Sequence, residues 1–203
     1  MRSQRTTLPT LSGWLGRVLR LDFSAFGEIR QERSATTPAI FVVLGSSLLA
    51  GLGSWLWALQ FPGIDHVEVL VKSFLLGSII QTAAWFLWVY LIHQVLTRGY
   101  HLRLDFSELT RVMGFAFAPV ALSLLVAIQS LAVPFGVISL GVTLLFTNVA
   151  IQATSDADAR EATMANLTGF GSFAIVMGVC ANIAKVGTLG GLAPGILFFS
   201  LNL

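Results

Sequence analysis

The side chains able to do chemistry in this 203-residue sequence are few and scattered. Gln81, Gln129, Asn148, Gln152, Asn182 and Lys185 interrupt runs that are otherwise apolar. Amides and an ammonium in such surroundings need partners or water, because hydrocarbon satisfies none of their donors and acceptors. They can therefore join helices by hydrogen bonds or line a polar path for a solute. Asn148 and Gln152 are four residues apart, which puts them on one helical face, able to bond loop backbone or line a small vestibule. None of these runs contains Asp or Glu, the usual relay of proton- or ion-coupled transport, so coupled pumping is disfavoured.

Enzymatic chemistry has no recognisable carrier. The sequence lacks a Walker-type phosphate loop, a His-Glu-x-x-His pattern, a Gly-x-Ser-x-Gly elbow and a Cys-x-x-Cys pair. His66, His93 and His101 fall in different segments, and the single cysteine, Cys180, excludes an intramolecular disulfide and a multi-thiolate site. No metal, cofactor or catalytic residue is expected. A formal net charge of +2 is too small to point to nucleic acid.

The elements that must position the polar residues are membrane helices. Only 11% of residues are charged and 55% are hydrophobic, against about 25% charged in a typical soluble domain. Residues 38–60, 73–96, 112–132, 135–153 and 170–199 are each long enough for a hydrocarbon core that takes about 20 apolar residues at about 1.5 Å each. The expected fold is an all-α, polytopic bundle of five transmembrane helices, residues 38–203, after a cytoplasmic N-terminal region, residues 1–37. The first 37 residues hold no apolar core of signal-peptide type. Thr37 is placed to cap the first span with Pro38 at its first position, and Asp105 with Glu108 has capping-box spacing before the third. Val133-Pro134-Phe135-Gly136 leaves only a tight hairpin between spans three and four. Lys185 and the glycines Gly187, Gly191 and Gly195 make the fifth run irregular: the helix ends near Lys185 or kinks at Pro194.

Orientation follows from the basic residues. Arg2, Arg5, Arg17, Arg20, Arg30 and Arg33 precede the first span, Lys72 alone follows it, and Arg98, Arg103 and Arg111 lie before or at the start of the third. The N-terminus is expected in the cytoplasm and, with five spans, the C-terminus outside. Counted at about 1.5 Å per residue, Gln81 and Asn182 both reach about 10 to 12 Å below the outer boundary, so a direct or water-bridged contact between them is expected. Leu11, Trp14, Leu15, Val18 and Leu19 recur at helical spacing with arginines largely opposite. That stripe suits an interfacial helix with Trp14 at headgroup depth, or equally a helix packed on the bundle ends. Ser155 is placed to cap a short helix carrying Asp156 and Asp158, within a solvated connector, residues 154–168.

Phe26-Gly27-Glu28-Ile29 with Ser34-Ala35-Thr36-Thr37-Pro38-Ala39 is similar to the juxtamembrane stretch of bacterial members of the Yip domain family. Arg111-Val112-Met113-Gly114-Phe115-Ala116-Phe117-Ala118-Pro119 resembles that family's Gly-Tyr-x-x-x-Pro type of motif at the third span, with Phe115 in place of Tyr. The resemblance implies five spans, a plasma (inner) membrane location in a prokaryote and a non-enzymatic role in membrane organisation. Eukaryotic relatives bind Rab-type GTPases and carry an Asp-Leu-Tyr-Gly-Pro motif that this sequence lacks, so Rab binding is not carried over. Arg111, Gly114, Phe115 and Pro119 are the one place where motif and charge coincide at the membrane surface, and so the candidate functional surface. The leading expectation is a scaffold or adaptor in contact with membrane lipid, with a membrane or cytoplasmic protein, or a second copy, as partner. A small transporter, channel or lipid-moving protein with a cavity lined by Gln81, Asn148 or Asn182 is the alternative.

Overall fold

The computed structural model describes residues 11–184, and these residues are helical, with no strand among them. Two short helices, α1 (Leu11–Leu19) and α2 (Ser24–Gln31), come first. Five helices long and apolar enough to cross a membrane follow: Arg33–Ala58, His66–Gly99, Phe106–Ala127, Gln129–Thr154 and Ala159–Ala184. The first contains α3 (Thr36–Ala58). The second joins α4 (His66–Val69) to α5 (Gly77–Gln94) through a π-helical stretch, Leu70–Leu76. The third begins as α6 (Phe106–Ala116) and continues as a 3₁₀-helix, Ala118–Ala127. The last two are α7 (Ala132–Thr154) and α8 (Ala159–Ala184). The expected all-α bundle with five spans is what the chain forms, and the protein is an integral, multi-pass membrane protein.

Local chemistry sets where these helices begin. The Asp105 carboxylate accepts from the amides of Ser107 and Glu108, at 2.7 and 3.1 Å, as its spacing implied. Glu108 does not reach back to complete the box; it pairs with Arg30 instead. Other starts differ from expectation. The helix of the first span already runs at Thr36, so Thr37 is not its cap and Pro38 sits inside the first turn. At α8 the cap is Asp158, not Ser155. Asp158 accepts from the Glu161 amide at 2.8 Å, and Glu161 accepts from the Asp158 amide at 3.0 Å. Ser155 instead turns back and donates to the Ile151 carbonyl, closing α7. The fifth span therefore starts at Ala159, eleven residues before the apolar run at 170, and most of the presumed connector is membrane-length helix.

The third span changes form at its proline. Pro119 has no amide hydrogen to continue the α-helical ladder, and the chain tightens into ten residues of 3₁₀-helix where runs beyond three or four are uncommon. This segment is wedged between α3 and α7. A Cβ on Gly53 would lie 2.4 Å from the Ser123 carbonyl oxygen, so only glycine permits the approach of α3. On the other side the hydroxyls of Ser123 and Ser139 are 2.6 Å apart. The reversal into span four lies at Ile128, which is extended, and at Gln129–Leu131, earlier than the expected Pro134 hairpin. Pro134 falls in the first turn of α7, where its missing donor costs nothing. Gln60 donates to the Ala127 carbonyl at 2.6 Å and so satisfies the end of the 3₁₀-helix.

Candidate functional site

The two segments singled out in the sequence, residues 26–39 and 111–119, meet. Phe26 and Ile29 of α2 are fully buried, and α2 packs on α6 and α7. Arg111, on α6, is only 5% exposed. Its Nη2 donates to the Arg30 carbonyl at 2.6 Å and its Nη1 to the Ser107 hydroxyl at 3.1 Å. The Arg30 guanidinium donates in return to the Glu108 carboxylate at 2.6 Å. One turn further along α6, a Cβ on Gly114 would stand 2.7 Å from the Cβ of Ala39, so the absent side chain lets α3 and α6 touch. Phe115 is buried and forms a T-shaped pair with Trp14 at a centroid distance of 5.9 Å. Pro119 is buried too, where the helix changes to 3₁₀.

Trp14 is thus turned into the bundle, 3% exposed, while Leu11, Leu19 and Leu21 remain outside. Of the two readings of the apolar stripe, packing on the helix ends describes Trp14. Arg17 ties α1 to α2 through Asp22 at 2.8 Å, Glu28 at 2.7 Å and the Ser24 hydroxyl at 3.0 Å. The hydrogen bonds to Glu28 and Asp22 raise the pKa of Arg17. The Ser24 hydroxyl and then Arg17 hold the Asp22 carboxyl below its ordinary range. Bonds from Ser107, and then from the Glu108 amide, lower Asp105; Ser34 lowers Glu32 in the same way, and both carboxylates also feel the Arg111 cation.

Chemically this arrangement is a latch. The guanidinium of Arg111 bonds a carbonyl of α2 and a hydroxyl of its own helix, and so joins the two. Among the described residues no group of three His, Cys, Asp or Glu side chains could hold a metal ion.

The intramembrane amides do not converge. Gln81 is fully buried with neither amide atom hydrogen-bonded. Asn182 is exposed and donates to the Gly178 carbonyl of its own helix at 2.9 Å, so the direct Gln81–Asn182 bond is absent. The earlier start of α8 explains this, since it moves Asn182 to the far end of the span. Asn148 is half-buried and meets the Thr163 hydroxyl at 3.5 Å, while Gln152 and Gln129 are exposed. Lys185, with Gly187, Gly191, Pro194 and Gly195, lies outside the described residues.

The polar centre that does form is one the sequence reading passed over. Asn166 of α8 accepts from the Trp88 indole at 3.1 Å and donates to the Leu144 carbonyl and the Thr147 hydroxyl, both at 3.0 Å. It joins three spans. Beside it, a Cβ on Gly169 would fall 2.2 Å from Trp88 Cδ1. The signal was present as Asn166 and Gly169 three apart, on one helical face.

No curated protein and no solved structure matches the chain. The family model described as the Yip1 domain matches residues 17–183, a stretch that holds both segments joined at Arg111 and all five spans up to their last residue, and the chain belongs to the Yip1 domain family.

Proposed function

We propose that this protein is a non-enzymatic membrane scaffold or adaptor, working through the face of the bundle that carries α1 and α2. We place that face in the cytoplasm from the arginine distribution. The observation that carries the reading is the Arg30–Arg111 latch, which makes α1 and α2 part of the bundle and so presents a fixed surface. On this surface Arg20, Arg33, Arg98 and Arg103 are exposed. Fixed exposed guanidinium groups suit an acidic protein partner, a second copy of the chain or anionic headgroups.

Crosslinking followed by mass spectrometry in native membranes tests this. The wild-type chain is expected to capture a defined protein or itself at these arginines, and Arg98→Glu with Arg103→Glu to lose that product while the chain stays in the membrane. Capture unchanged by the charge reversal, or no specific product, contradicts the proposal.

A further inference from the structure

Beneath α1 the described residues leave room that their side chains do not fill. Gly45 of α3 and Ala118 and Ala121 of the 3₁₀-helix form the floor of a half-open groove of about 660 Å³. The floor is open because these residues are small and the 3₁₀-helix is tighter than an α-helix. A Cβ on Gly45 would meet nothing within 4 Å. The lining contains no charged residue.

Two features give the groove a direction. Along α3 it runs from Phe41 to Leu49, about 12 Å at about 1.5 Å per residue, close to the about 15 Å of one leaflet of an about 30 Å hydrocarbon core. Leu19 and Leu21, at and just after the end of α1, also line it and stay exposed, which makes them its rim. Leu21 has φ 64°, the left-handed conformation usually given to glycine at a helix end. The bonds Leu21 N–H to Val18 and Asp22 N–H to Arg17, both 3.0 Å, hold it there. The leucine in this conformation carries an exposed apolar side chain at the groove wall. Arg20 lies between the two rim leucines, exposed, with no ion pair or side-chain hydrogen bond among the described residues; its neighbour Arg17 is fully engaged.

We propose that this groove holds one acyl chain of an anionic phospholipid, with Arg20 at the phosphate. The apolar lining and leaflet-length run select a chain, and the exposed Arg20, next in sequence to the lining leucines Leu19 and Leu21, offers a cation to a negative headgroup. The assignment goes beyond the scaffold reading and does not depend on it.

The test reconstitutes the full chain in nanodiscs of equal phosphatidylglycerol and phosphatidylcholine, then measures lipid retained after transfer to detergent by native mass spectrometry. The wild-type chain should keep one phosphatidylglycerol per protein. Gly45→Leu fills the groove and should lower retention at least tenfold. Gly141→Leu, at an equally open glycine on the exposed face of α7 outside the groove, should leave retention unchanged. Arg20→Gln should keep a lipid but lose the preference for phosphatidylglycerol. Retention by Gly45→Leu at the wild-type level, an unchanged preference in Arg20→Gln, or a lipid-free dimer that Gly45→Leu dissociates would overturn the proposal. A readout on the unaltered chain guards against misfolding of the variants. Phosphatidylglycerol with a photoactivatable chain should label Phe41, Leu49 and Leu122 well above Leu145 and Ile175, and uniform labelling would count against it.

Discussion

Arg111 donates through Nη2 to the main-chain carbonyl of Arg30 at 2.6 Å, a bond that spans 81 positions of sequence. A guanidinium suits this position because its planar fork bonds the carbonyl of α2 and the Ser107 hydroxyl of its own helix at once, whereas an ammonium is a single point of charge. Arg111→Gln should therefore weaken the docking of α2 by about 2 kcal/mol, the scale of a hydrogen bond to a charged group. Arg111→Lys should recover only part of it. Limited proteolysis within residues 20–33 of the reconstituted chain reads the effect as faster cleavage in the order wild type, Lys, Gln.

Gly114 is a packing requirement of the same joint. Gly114→Ala places a methyl 2.7 Å from the Ala39 Cβ and 2.9 Å from its carbonyl oxygen, so α3 and α6 must separate at a cost of about 1–3 kcal/mol. Gly141→Ala, in open space on α7, should be neutral or slightly stabilising. Thermal unfolding in one detergent compares the two, and equal shifts would deny the close approach.

Polar residues within the spans include a bonded set around Asn166 and buried groups without a partner, Gln81 among them. Asn166→Ala leaves the Trp88 indole without its acceptor and should cost about 1–2 kcal/mol, with non-additivity towards Trp88→Phe. Gln81→Leu removes a buried amide that has no partner and should stabilise by about 1 kcal/mol. Gln81→Leu and Asn182→Leu should be additive within about 0.5 kcal/mol, because the two residues do not meet. Denaturation of single and double variants in mixed micelles gives all three results.

The joint should also report on acid. Asp105 and Asp22 have folded pKa values below their ordinary value of 3.8, lowered first by Ser107 and Ser24 respectively. Groups lowered in this way stabilise above their unfolded value, and that stability is lost as pH falls through the folded one. Protection of residues 11–31 should thus be flat from pH 7 to pH 5 and decline only below about 3.8. Asp105→Asn should shrink the acid-dependent part. Measuring amide exchange in these residues against pH, with a correction for the intrinsic rate, checks it.

How much of this was legible in the sequence depends on what each signal contains. The spans follow from run length, which the membrane enforces directly, and Asp105 follows from a cap whose partners are two and three residues away. The start of α8 was hidden because Asp158, Arg160 and Glu161 depress the hydropathy of a turn that is nonetheless helical, and Asn166 was lost with it. Depth counted from an apolar run misses the earlier start of α8, which carries Asn182 to the far end of its span, and depth says nothing about which way a side chain faces around the helix. Trp14 shows the same limit: an amphipathic stripe does not say what covers each of its residues, and Phe115 covers Trp14 while Leu11 and Leu19 of the same stripe stay exposed. The 3₁₀ run after Pro119 is a tertiary outcome, set by α3 and α7 closing on both sides of a segment that proline had already released from the α-helical ladder.

The central claim is that α1 and α2 are built into the membrane bundle through Arg111, and hydrogen exchange of the full chain in nanodiscs tests it most directly. Amides of residues 11–31 in the wild-type protein should exchange as slowly as those of α6, and in Arg111→Gln they should exchange at least tenfold faster while α5 and α7 stay protected. Residues 11–31 exchanging at the rate of free peptide in the wild-type chain, with the spans protected, would contradict it.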